Sequence, residues 1–157
     1  MKLAEALIER AALQKRVEQL HARILQNARF QEGEEPAEDA AALLVEVSKA
    51  LEDLRALVLD INLTNAATTT APGEPLTAAL ALRDSLRRRH AILVSAADAA
   101  AGSVRDAYRQ MRSELRQVAA LPVAALRAES DDVAKRIRAL EATIQQANWE
   151  VDLHQQR

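Results

Sequence analysis

Three histidines and a large set of carboxylates are the side chains of this chain that could bind a metal. Helical di-iron proteins use inward glutamates together with two Glu-x-x-His pairs. Only His21 has a glutamate, Glu18, three residues before it, whereas His90 and His154 have none. The acidic segment 32–39 lacks the ligand spacing of an EF-hand loop. The sequence therefore predicts no metal centre.

Motifs for nucleophilic or nucleotide chemistry are missing from the sequence. It has no cysteine, which excludes disulfides, thiolate nucleophiles and cysteine-bound zinc or iron–sulfur clusters. It has no G-x-S-x-G elbow, no phosphate-binding loop and no glycine-rich dinucleotide motif. We therefore expect no catalytic residue and no cofactor, and the sequence favours a non-enzymatic protein over an enzyme.

Polar loop residues support an alternative to the non-enzymatic protein. In this alternative the loops bind a small ligand or a metal, with or without catalytic activity. The candidates stand where the apolar periodicity stops, and they are Glu34, Asn62, Asn65, Glu114 and Trp149. These residue types do not name the ligand. A basic run at Arg87–His90 could meet phosphate or anionic lipid, although such a run on a helix is more often a solvated face.

The elements that must position these side chains are four long helices. Apolar residues recur at alternating steps of three and four in four segments, which is the spacing of one helix face. In the last segment they are Leu126, Val133, Ile137, Leu140, Ile144, Ala147 and Val151, with Ser130 as the polar member of the series. In the second segment they are Leu44, Val47, Leu51, Leu54, Val58 and Ile61. Good helix formers dominate the composition, and aromatic residues make up only 2%.

The predicted fold is an all-α, antiparallel bundle of four long helices with polar loops, in a single domain over residues 1–157. We place the helices at about 2–29, 40–65, 77–101 and 122–153. Thr77 is the expected N-cap of the third helix, and Pro122 suits the first turn of the fourth. The Asn-, Thr- and Pro-rich segment 62–75 allows one short β-hairpin. For residues 104–121 the sequence leaves helix and strand both open.

The uneven distribution of charge and the polar residues within the apolar helix stripes, which we call seams, both indicate self-association. Residues 1–79 carry 8 basic and 13 acidic side chains, whereas residues 80–157 carry 13 basic and 10 acidic ones. Oppositely charged halves attract each other within one chain or between copies. Arg10 and Ser130 occupy seam positions, and such polar residues often set the oligomeric state. Trp149, the only tryptophan, is expected under a loop or at a subunit interface.

Localisation and partners follow from the remaining composition. The N-terminal apolar stretch is interrupted by Glu5 and Glu9, so it does not read as a signal peptide. No run approaches the ~20 apolar residues of a membrane span. With a net charge of −2 and no cysteine, we expect a cytoplasmic homo-oligomer without a nucleic-acid partner and with a structural or protein-interaction role.

A resemblance to a known family rests on four segments taken together: 27–34 (NARFQEGE), 61–65 (INLTN), 82–84 (LRD) and 144–149 (IQQANW). They resemble a small, mainly actinobacterial family of helical proteins that are called uncharacterised or septicolysin. The resemblance covers nearly the whole chain and implies no assigned activity, cofactor or catalytic residue. The septicolysin name implies, as a weaker alternative, a cytolysin-like or peripheral membrane protein. Around 108–121 the family pattern is more strand-like than this chain.

Overall fold

The structure, a computed structural model, describes residues 1–70, 73–102 and 118–154. Within these ranges it contains four long helices: α1 (Leu3–Asn27), α2 (Ala40–Ala67), α3 (Leu76–Ala101) and α4 (Val123–Glu150). Described residues outside the helices form turns, bends and single β-bridges, with no strand among them. The prediction of an all-α fold with four long helices is confirmed. Residues 103–117, most of the segment left open between helix and strand, lie outside the described residues.

Local chemistry explains where α2 and α3 begin. The Asp39 carboxylate accepts hydrogen bonds from the backbone N–H groups of Ala41 and Ala42 at 2.8 and 3.2 Å, which caps α2. The prediction of Thr77 as the N-cap of the third helix is wrong, because Pro75 caps it and α3 begins at Leu76. Proline has its φ fixed near the helical value and has no N–H to satisfy, so it suits a helix start.

The described part of the loop between α2 and α3 forms a hydrogen-bonded turn with single β-bridge residues at Thr69 and Pro75 and no strand, and residues 71 and 72 of the predicted hairpin lie outside the described residues. The Thr70 N–H and hydroxyl both donate to the Glu74 carbonyl, at 2.8 and 3.0 Å. The Gly73 N–H donates to the Thr70 carbonyl at 2.8 Å, with Gly73 at φ +89°. Such a φ favours glycine. These bonds satisfy the N–H groups of Thr70 and Gly73 locally.

Contacts divide the chain into two compact units. The first comprises residues 1–69 with 145–157, and the second comprises residues 70–144. The first unit therefore contains α1, α2 and the last turns of α4, whereas the second contains α3 and most of α4.

The core of the first unit lies between the antiparallel helices α1 and α2. Its buried centre is formed by Leu20, Leu43 and Ala50, with half-buried Val17, Ile24 and Val47 around them. Two ion pairs set the register of the pair: Arg16 with Glu46 at 2.9 Å, and Arg23 with Glu38. Residue numbers on α1 therefore rise as the facing numbers on α2 fall.

The buried stripe of α2 shares buried Ile61 and half-buried Val47 with the predicted seam but departs from it at Leu44 and Leu51. Leu43, Ala50 and Leu57 are buried, whereas the predicted Leu44 and Leu51 are 53% and 48% exposed. The two sets are displaced by one residue, which is a rotation of about 100° around the helix axis. Leu43, Ala50 and Leu57 are buried because they lie on the side of α2 that packs against α1. Leu44 and Leu51 lie along one edge of that contact and stay exposed.

The core of the second unit lies between α3 and α4. It contains Leu86, Leu93 and Val133, surrounded by half-buried Leu126, Ile137 and Leu140. The α4 part of this core follows the predicted spacing. On α3, Leu82 is 41% exposed because it lies on the edge of the buried stripe.

Candidate functional site

The predicted loop site is spread along the first unit. Glu34 is exposed in the loop after α1, where its N–H donates to the Gln31 carbonyl at 3.0 Å. Asn62 and Asn65 lie in the last turns of α2, so about 33 Å of helix separates Asn62 from the start of α2. One chain does not bring Glu34 and these asparagines together. Glu114 lies outside the described residues.

Trp149 lies in the last turn of α4 and is 57% exposed, so none of the described loops covers it. Its placement at a subunit interface stays a prediction. It borders a shallow, mostly apolar groove of about 380 Å³ on the first unit. The groove is lined by Ala4, Leu7, Ile8, Ala11, Gln145, Asn148 and Trp149.

The best-built polar arrangement fastens the two ends of the described chain to each other. The Leu3 N–H donates to the Val151 carbonyl at 3.0 Å, and the Leu153 N–H donates to the Met1 carbonyl at 2.9 Å. We call these two bonds, together with an ion pair between Lys2 and Asp152 at 2.9 Å, the terminal clasp. The hydrogen bond and charge of Lys2 lower the pKa of Asp152. The clasp satisfies backbone groups, and its role is structural.

Thr64 ties α2 to the clasp, and the sequence analysis missed it. Its side chain is fully buried. Its hydroxyl donates to the Asp60 carbonyl at 2.7 Å and accepts from the His154 N–H at 2.9 Å. A threonine spaced with Leu57 and Ile61 on a buried face was the available signal, because a buried hydroxyl needs partners.

The loop between α1 and α2 is held at its far end by a second polar arrangement. Arg23 makes a two-bond contact with Glu38, in which Nε donates at 2.9 Å. The hydrogen bond and charge of Arg23 lower the pKa of Glu38. The Asn27 side chain accepts from the Glu38 N–H at 3.0 Å and donates to the Arg23 carbonyl at 2.9 Å. These contacts stabilise the loop and pair the Arg23 guanidinium with a carboxylate.

The basic run on α3 is largely neutralised by α4. Arg87 pairs with Glu141 and Arg89 pairs with Glu129, both at 2.5 Å. Two of the three consecutive arginines therefore already have carboxylate partners, which weakens the case for a phosphate or lipid site at Arg87–His90.

Over residues 1–70, 73–102 and 118–154, no group of three His, Asp or Glu side chains is arranged to hold a metal ion. Over the same ranges, no helix combines the length and apolar character needed to cross a membrane.

One side of the α1–α2 pair combines exposed leucines with charged and polar side chains, and we call it the open face. It lies across the buried stripe from the Arg16–Glu46 ion pair. Its members are Arg10, Gln14, Glu18 and Leu25 on α1, and Leu44 and Leu51 on α2. Its three leucines are 65%, 53% and 48% exposed in sequence order. The sequence analysis missed this surface because it assigned Leu44 and Leu51 to the core.

Comparison with solved structures shows that this fold occurs elsewhere. The chain is similar to the crystal structure of a functionally unknown conserved protein from Corynebacterium diphtheriae. The two are 34% identical with a TM-score of 0.90, and the match covers 98% of this chain and 99% of that chain. No curated protein matches this chain.

A family model matches residues 10–153, which includes α2, α3, α4 and most of α1. The predicted relation to a family without an assigned activity is confirmed by this match. The chain therefore belongs to DUF6847, a family of unknown function.

Proposed function

We propose that this protein is a cytoplasmic, non-enzymatic helical protein that assembles with copies of itself and has a structural or protein-interaction role. The observation that carries the proposal is the open face, where Leu25, Leu44 and Leu51 keep about half or more of their area in water. Fully burying one leucine side chain favours association by ~1.5–3 kcal/mol. Three on one face provide a driving force for association that a single chain does not use.

The distribution of charge supports the same conclusion. The unit formed by 1–69 and 145–157 carries 9 basic and 14 acidic side chains, and the unit formed by 70–144 carries 12 basic and 9 acidic ones. Units of opposite sign on one chain steer copies toward each other and keep encounter rates high at low salt.

The proposal is tested by measuring the mass of the purified protein in solution. Sedimentation velocity and light scattering, from low to high micromolar protein, are expected to give a multiple of the 17.2 kDa chain. Because the driving force is mainly apolar, the assembly is expected to persist in molar salt, which screens charge. A mass of 17.2 kDa at every concentration would refute self-association.

A further inference from the structure

We infer that the open face binds the open face of a second copy, about a twofold axis that passes next to Gln14. This inference rests on the self-association proposed above and names the surface and the partner. It is argued from two features of the face, the unpaired charges on α1 and the leucines on α2.

Two charged groups of the open face, those of Arg10 and Glu18, form no ion pair in the described part of the chain. The Arg10 Nε is buried and has no hydrogen-bond partner. A buried donor without an acceptor is costly, more so when it is charged. Arg10 and Glu18 stand eight residues apart, about 12 Å along α1, so they cannot pair within one helix.

A second copy of the same face offers an opposite charge to the Arg10 guanidinium and to the exposed Glu18 carboxylate. In a twofold contact, each residue i meets j of the other copy while j meets i. Two α1 helices that pack antiparallel with their centres at Gln14 place Arg10 of each copy opposite Glu18 of the other. The four-residue steps from Arg10 to Gln14 to Glu18 keep all three side chains on one side of α1. The contact therefore forms two equivalent ion pairs.

The leucines of α2 point to the same axis independently. Residue 16 is level with 46 and residue 23 is level with 38, as the two ion pairs show. In that antiparallel register, Gln14 is level with residues 47 and 48. The midpoint between Leu44 and Leu51 also falls between 47 and 48. One axis at this level therefore brings Leu44 of each copy next to Leu51 of the other, and it is the axis that pairs the charges.

Replacing the two α2 leucines tests whether this face forms the contact. Leu44→Glu with Leu51→Glu is expected to raise the dissociation constant of the assembly roughly 100-fold or more, because buried apolar anchors dominate such interfaces. Val45→Glu is the matched control, since Val45 is 72% exposed on the side of α2 that faces away from the open face. Circular dichroism checks that each variant keeps its helices. If the wild type assembles and the double variant assembles equally well, the inference is wrong while the proposed function stands.

A cysteine placed on the axis tests the symmetry, because the chain has no cysteine of its own. Gln14→Cys is expected to form a covalent dimer under mild oxidation, since a residue on the axis meets its own copy within disulfide reach. Gln19→Cys, an exposed position on the other side of α1, is the matched control and is expected to stay uncrosslinked. Equal crosslinking of both variants, or of Gln19→Cys alone, would overturn the assignment.

A charge exchange tests the pairing of Arg10 with Glu18. Glu18→Arg alone changes an exposed side chain and is expected to weaken the assembly at least about tenfold by like-charge repulsion. Adding Arg10→Glu to the same chain restores opposite charges across the axis and is expected to recover most of that loss. Failure of the folded double variant to recover it would refute this pairing. A monomeric wild type would instead refute the proposed function itself, so the two failures are distinguishable.

Discussion

The replacement of Leu20 by alanine tests the description of the α1–α2 pair most directly. Leu20 is 1% exposed and lies at the centre of the cluster with Leu43 and Ala50. The substitution removes three carbon atoms from a site that is fully closed to water. It therefore loses both the transfer free energy of those atoms and the contacts of the cavity that remains.

The expected loss is about 2–3.5 kcal/mol, in the lower half of the range for buried leucine to alanine. The lower half applies because the half-buried neighbours Val17, Ile24 and Val47 can move into part of the cavity. For a chain of 157 residues, each kcal/mol lowers the melting temperature by roughly 2–4 °C. The melting temperature of Leu20→Ala is therefore expected to fall by roughly 4–14 °C.

Urea unfolding followed by circular dichroism at several protein concentrations measures this loss, with Leu44→Ala as the matched control. Leu44 is the same residue type on the same pair of helices but is 53% exposed. Its replacement is expected to lower the free energy of unfolding of the monomer by less than about 1 kcal/mol. The loss is expected to be larger at protein concentrations where assembly buries Leu44. The effect of Leu20→Ala is expected at all concentrations. Equal effects of the two substitutions in the dilute protein would refute the packing of α1 on α2 described above.

Three further predictions concern polar contacts. Thr64→Val keeps the shape of the side chain but leaves the His154 N–H without its acceptor. We therefore expect the free energy of unfolding, measured in urea, to fall by ~1–2 kcal/mol. Thr64→Ser keeps the hydroxyl and should retain the bond to His154. Asp39→Ala removes the cap of α2 and is expected to lower the free energy of unfolding by about 1 kcal/mol in the same experiment. Asp39→Asn, which can still cap the helix, is expected to be about as stable as the wild type. Arg23 lowers the pKa of Glu38 in the folded state, so their stabilisation is present above the unfolded glutamate pKa of about 4.3 and is lost as pH falls through the lower folded value. The stability difference between wild type and Arg23→Gln should therefore shrink on acidification, and a difference that grows at acid pH would contradict the assigned direction.

The seam of α4 was predictable from the sequence, whereas that of α2 was predictable only in part, because Val47 and Ile61 are in the core and Leu44 and Leu51 are exposed. On α4, each apolar seam residue has polar or small neighbours, so only one face can be buried. On α2, apolar residues stand side by side as Leu43 with Leu44, Ala50 with Leu51, and Leu57 with Val58. Both sets have helical spacing, so periodicity alone does not choose between them. The choice depends on the register with α1, which long-range ion pairs set.

The candidate site was less predictable than the fold for a related reason. Sequence reasoning located polar residues by where periodicity stops, and Glu34, Asn62 and Trp149 do lie at or near helix ends. Distances between those ends depend on helix lengths, which separate Glu34 from Asn62. The open face was hidden because its leucines satisfied a core pattern, and only their exposure in the folded chain shows that they lack a partner within it.

The terminal clasp has a consequence for the order in which the first unit folds. The ion pairs of α1 with α2 join residues 15 and 30 apart, whereas the bond from the Lys2 side chain to the Glu150 carbonyl joins residues 148 apart. The entropy lost on closing a loop rises with its length, and topologies rich in local contacts fold faster. The α1–α2 pair is therefore expected to form early, and the clasp is expected to close late. Amide hydrogens of Leu3 and Leu153 should then gain protection after that of Leu20 in a refolding experiment.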